Sequence, residues 1–89
     1  MVYGEGAADG RFAMKEFLEY IVTHLVDHPE RILIMEDHDN ATVSLRLSVG
    51  EGEVGKVIGR SGRTAQALRV LLSAVAARQG KRALLEIVD

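Results

Sequence analysis

Eighty-nine residues, 47% hydrophobic and 27% charged, suffice for one small core but are too few for a dinucleotide-binding domain with a separate substrate domain. The absence of cysteine excludes disulfides and thiolate metal sites; no uncharged apolar run approaches the roughly 18 residues of a membrane span, and the opening MVYGEGAADG lacks a secretory leader's basic start, so the expected location is the cytoplasm. The net charge of −2 hides a segregation: residues 1–53 hold four basic and eleven acidic side chains, whereas residues 54–82 hold seven basic and no acidic ones. Such a division predicts one face that attracts anions and another that repels them.

Residues 1–13, with Gly4, Gly6 and Gly10 among small or charged neighbours, show no periodicity and read as a flexible extension preceding a domain at 14–89. Met14, Phe17, Leu18, Ile21 and Leu25 then recur at three- and four-residue steps, predicting an amphipathic helix that Pro29 stops. The apolar run Ile32 to Met35 suits a strand covered on both faces, and DHDN at 37–40 reads as a turn. Val43, Leu45, Leu47 and Val49 alternate with Thr42, Ser44, Arg46 and Ser48, the pattern of a strand with one buried face. A short helix over Val54 to Ile58 is broken by Gly59 to Gly62. A second helix follows from about Arg63 to Gln79, with Leu68, Leu71, Leu72 and Val75 toward the core and Gly80 as its stop. Ala83, Leu85 and Ile87 alternate in a last strand. The order implies an α+β fold, αββααβ, with a three-stranded sheet and all helices on one face.

Function turns on GEGEVGKVIGRSGRT, residues 50–64, which fits three glycine patterns. Gly50, Gly52 and Gly55 spell GxGxxG, but a dinucleotide site needs one long helix after the glycines and an acidic residue about 20 positions on, and the 54–82 segment has no acid. Gly50, Gly55 and Lys56 spell most of a triphosphate loop, yet Val57 stands where a hydroxyl must ligate Mg²⁺. Gly59, Arg60, Ser61 and Gly62 spell GxxG, which needs two helices meeting at a tight turn, and the pattern around it supplies them. Such a turn brings backbone close to a sugar–phosphate chain and aims a helix N-terminus at the same phosphates, with Lys56, Arg60 and Arg63 adding cations. His24 and His28 make an i, i+4 pair, but HLVDH lacks the glutamate of HExxH, and we expect these histidines to answer the helix C-terminus instead of a metal. No nucleophile–base–orienter set can be assembled, so neither enzymatic activity nor a cofactor is expected. The only aromatics are Tyr3, Phe12, Phe17 and Tyr20, which leaves the sheet without the stacking residues of other RNA-binding folds.

The stretch GKVIGRSGRTAQALR resembles the signature of KH domains, and the helix and strand before it resemble the type II arrangement. With MKEFLEYIVTHLVDHPERI in front and GKRALLEIVD at the end, residues 14–89 are similar to the small single-KH bacterial RNA-binding proteins of the KhpA family. The resemblance implies a clamp of Gly59, Arg60, Ser61 and Gly62 on about four nucleotides of single-stranded RNA. It places Val57 and Ile58 as the apolar pair before the clamp, and Arg63 and Thr64 at the opening of the next helix. Ala65 departs from the bulkier aliphatic residue of many KH domains, implying a shallower groove and weaker base selectivity. The family further implies a homodimer, a larger KH-containing partner of the KhpB type, and work as an RNA chaperone or regulator linked to cell-wall synthesis and cell length. No membrane and no small-molecule substrate enters this reading. The alternative is a dimerisation module in which RNA contact is incidental.

Overall fold

The computed structural model describes residues 14–88; the expected extension at 1–13 lies outside the described residues. Helix α1 (Met14–Thr23) leads through a single 3-10 turn (Pro29–Arg31) to strands β1 (Leu33–Asp39) and β2 (Thr42–Ser48). Helix α2 (Val54–Ile58), the turn Arg60–Gly62, helix α3 (Arg63–Arg78) and strand β3 (Arg82–Ile87) complete the chain. The sheet order is β1-β2-β3, with β1 and β2 antiparallel and β2 and β3 parallel. The expected αββααβ order and α+β layer are therefore present.

One core lies between the sheet and the helices. Val43, Leu45 and Leu47 of β2, Ile34 of β1 and Leu85 of β3 meet Met14, Leu18 and Val22 of α1, Val57 of α2, and Leu68, Leu72 and Ala76 of α3. The alternation read in β2 is borne out, since its apolar residues are buried and the intervening ones are not. Helix α3 closes with a Schellman arrangement at Gly80, whose φ is +71°: the Lys81 N–H donates to the Ala76 carbonyl at 2.8 Å and the Gly80 N–H to that of Ala77 at 3.0 Å.

Four details differ from the sequence reading. Helix α1 ends at Thr23, not at Pro29, because the chain tightens through three-residue hydrogen bonds (His24 N–H to the Ile21 carbonyl, Leu25 N–H to that of Val22). The N–H groups of Asp27 and His28 are then taken by the carboxylate of Glu53, far along the chain. Strand β1 is covered on one face only: Ile34 is buried, whereas Leu33 and Met35 lie exposed on the sheet's open side. DHDN is not a turn as a unit, since β1 runs through Asp39 and pairs Asp39 with Thr42, leaving a two-residue hairpin loop at Asn40–Ala41. Asn40 takes φ +55°, a left-handed conformation its short polar side chain tolerates. In α3 the buried set is Ala65, Leu68, Leu72 and Ala76; Leu71 points outward and Val75 is half-buried.

Candidate functional site

The turn between α2 and α3 is built by backbone conformations few residues accept. Gly59 has φ +78° and ψ 174°, and a Cβ there would sit 2.7 Å from the Thr64 Cβ, so glycine is needed for both conformation and space. Ser61 (φ +56°) and Gly62 (φ +73°) are both left-handed, which turns the chain sharply and starts α3 at Arg63. The turn is held by Gly59 N–H to the Gly55 carbonyl (2.9 Å) and Gly62 N–H to the Gly59 carbonyl (3.1 Å). No side chain caps α3; the Arg63 N–H is taken by the Arg60 carbonyl, and the positive end of the helix dipole lies at the loop.

The nine residues singled out from sequence fall into four groups. Arg60, Ser61 and Arg63 are exposed on the loop, and the two arginines have no carboxylate partner among the described residues. Gly59, Gly62, Ile58 and Thr64 are half-buried around them. Val57 is wholly buried and packs into the core under the loop, so its part is to anchor the turn. Ala65 is buried as well, at the start of α3. Lys56 is not a free cation: its Nζ donates to Asp27 Oδ2 and lies 3.9 Å from Glu53 Oε1.

Sequence reasoning missed the residue that organises this corner. Glu53 is 4% exposed, the only charged side chain buried among the described residues. Its Oε1 accepts the Asp27 N–H and its Oε2 accepts the His28 N–H at 3.3 Å, tying the loop after α1 to the start of α2. Gly50 makes room for it, since a Cβ there would come within 2.9 Å of Glu53 Oε2. The hydrogen bond from Lys56 holds the Asp27 carboxyl below the usual range, and the same bond raises the Lys56 ammonium above its own. By linkage the pair stabilises the fold across neutral pH; that contribution is lost as pH falls through the depressed Asp27 value, and again as it rises through the elevated Lys56 value.

The histidine pair has no shared helical face, because α1 ends before either residue. His24 donates through Nδ1 to the Tyr20 carbonyl at 2.8 Å, and His28 lies 3.4 Å from Glu30. The first contact is the helix-terminus role expected of it. Among the described residues no group of three or more ligating side chains is arranged for a metal, and no helix is long and apolar enough to cross a membrane.

A three-stranded layer backed by helices, with GxxG at the junction of two of them, defines the KH class of domain. The family model described as KhpA/KhpB, KH domain, matches residues 15–87, and the chain belongs to that family, which is not a family of enzymes. Relatives named RNA-binding protein KhpA include that of Chlamydia pneumoniae, 47% identical over 76 residues spanning 85% of this chain and 97% of the relative. That of Bacillus subtilis (strain 168) is 40% identical over 76 residues, spanning 85% and 94%. A third, from Aquifex aeolicus (strain VF5), is 40% identical over 77 residues, spanning 86% and 98%.

Proposed function

We propose that this protein binds single-stranded RNA, gripping the sugar–phosphate backbone with the Gly59–Gly62 turn and the N-terminus of α3. The observation that carries the reading is the juxtaposition of a left-handed turn, a helix N-terminus with no side-chain cap, and two arginines, Arg60 and Arg63, that have no carboxylate partner among the described residues. Each element recognises phosphate: close backbone approach, N–H groups aligned with the dipole, and mobile cations. The name RNA-binding protein carried by the KhpA relatives supports the same assignment. Such contacts are largely indifferent to base identity, so affinity is modest and salt-dependent. We expect fluorescence anisotropy with a short single-stranded RNA to show log affinity falling by about 0.7 per phosphate contact for each tenfold rise in salt. A salt-independent response, or a preference for duplex DNA, removes the clamp.

The family reading extends to an RNA chaperone or post-transcriptional regulator in the cytoplasm, acting as a dimer or beside a KhpB-type protein, with effects on cell-wall synthesis and cell length. Support for self-association comes from α3. Ala67, Val70, Leu71 and Ala74 recur at three- and four-residue steps on the side turned away from the core, with Val70 57% and Leu71 44% exposed. This stripe is also what favours the alternative, an interaction module whose contact with RNA is incidental. Replacing Val70 and Leu71 together by glutamate is expected to convert a sedimenting dimer to monomer. A wild-type chain that sediments as a monomer at micromolar concentration excludes the homodimer.

A further inference from the structure

The cation nearest the clamp on α2 is already occupied. Lys56 lies three residues before Gly59, on the short helix whose C-cap is that glycine. Its ammonium is bound by Asp27, which comes from the loop 29 residues earlier in the chain. The contact is not a chance meeting of two long side chains. Asp27 is fixed through its own backbone, whose N–H is bonded to the buried Glu53 carboxylate, and that carboxylate also lies 3.9 Å from the Lys56 Nζ. The pair nevertheless stands in water, with the Asp27 side chain 71% and that of Lys56 44% exposed, so the ammonium can exchange one anion for another.

We propose that Asp27 is a built-in competitor for RNA phosphate at Lys56, lowering the affinity of the clamp and setting how many cations it commits. This rests on the phosphate-clamp reading above. A phosphate reaching past Gly59 toward α2 must displace a carboxylate held in place before it gains the lysine. Arg60 and Arg63, with no such partner among the described residues, engage first. The device lets part of the cationic surface stay neutralised in the free protein while remaining available to a strand that runs across the whole corner.

Asp27→Asn keeps the backbone bond to Glu53 and removes only the competing charge. Its affinity for a short single-stranded RNA is expected to rise by about two- to fivefold at low salt, the size of an exposed ion pair. Its salt slope should steepen by about 0.7, one phosphate contact. The melting temperature should stay within about 4 °C of wild type, as for an exposed substitution. Asp27→Ser gives an independent second reading. In a Lys56→Gln background either change is expected to leave affinity unaltered, because the effect passes through the lysine. Equal gains with and without Lys56 would mean general charge repulsion and overturn the proposal. So would wild-type affinity in both Asp27 variants, with the clamp itself untouched. Absence of salt-dependent binding in the wild-type chain would remove clamp and competitor together.

Discussion

Replacing Glu53 by alanine is expected to lower stability by about 3 kcal/mol, a fall in melting temperature of more than about 10 °C for a domain of this size. Two backbone N–H groups, those of Asp27 and His28, lose a charged acceptor, and hydrogen bonds to charged groups carry about 1.5–3 kcal/mol each. Part is recovered because the loop is exposed and water can replace the carboxylate, which keeps the expected loss below the sum. The buried volume left beside Gly50 adds a packing penalty. Glu53→Gln retains one carbonyl acceptor but turns an amide N–H₂ toward the second donor, so it should fall between wild type and alanine. Thermal melts of the three proteins check the order. An alanine variant that melts with wild type would mean the carboxylate does not hold the loop.

Replacing Arg60 and Ser61 together by aspartate should weaken RNA binding by about a hundredfold or more, the equivalent of about 3 kcal/mol, while leaving the fold intact. The change removes one cation that has no carboxylate partner among the described residues and puts two carboxylates where the proposed clamp would hold phosphates. Both side chains are exposed, and substitutions at such positions cost within about 0.5 kcal/mol. Aspartate also tolerates the left-handed conformation that Ser61 adopts, and a negative charge just before α3 suits its dipole. The melt should therefore be preserved. A collapsed melt would make the loop a structural element and favour the interaction-module reading.

The parts of this protein that could be read in advance are those set by local pattern. The period of two in Val43, Leu45 and Leu47 and the turn at Gly59–Gly62 are local signals, and both were legible. Helix α3 was legible as a helix but not in its orientation. It carries two apolar stripes, the buried Ala65–Leu68–Leu72–Ala76 and the outward Ala67–Val70–Leu71–Ala74, so periodicity alone does not say which faces the sheet. The apolar run at Ile32–Met35 implied two covered faces, but helices pack on one side only, and Leu33 and Met35 are left on the other. The end of α1 was not legible because neither proline nor glycine marks Thr23, and nothing local to Asp27 and His28 shows that Glu53, 26 and 25 residues away, takes their N–H groups. The same distance hid the pairing of Lys56 with Asp27, and so made a committed cation look like a free one.

The central claim, that the turn between α2 and α3 is the RNA contact, is tested most directly by titrating one short single-stranded RNA with wild type and with the Arg60→Asp, Ser61→Asp double variant at low salt. Saturable binding by wild type and none by the variant over the same concentrations, with superimposable melts, is the expected result. Equal affinity in the two proteins would contradict it and move the RNA contact away from the Gly59–Gly62 loop.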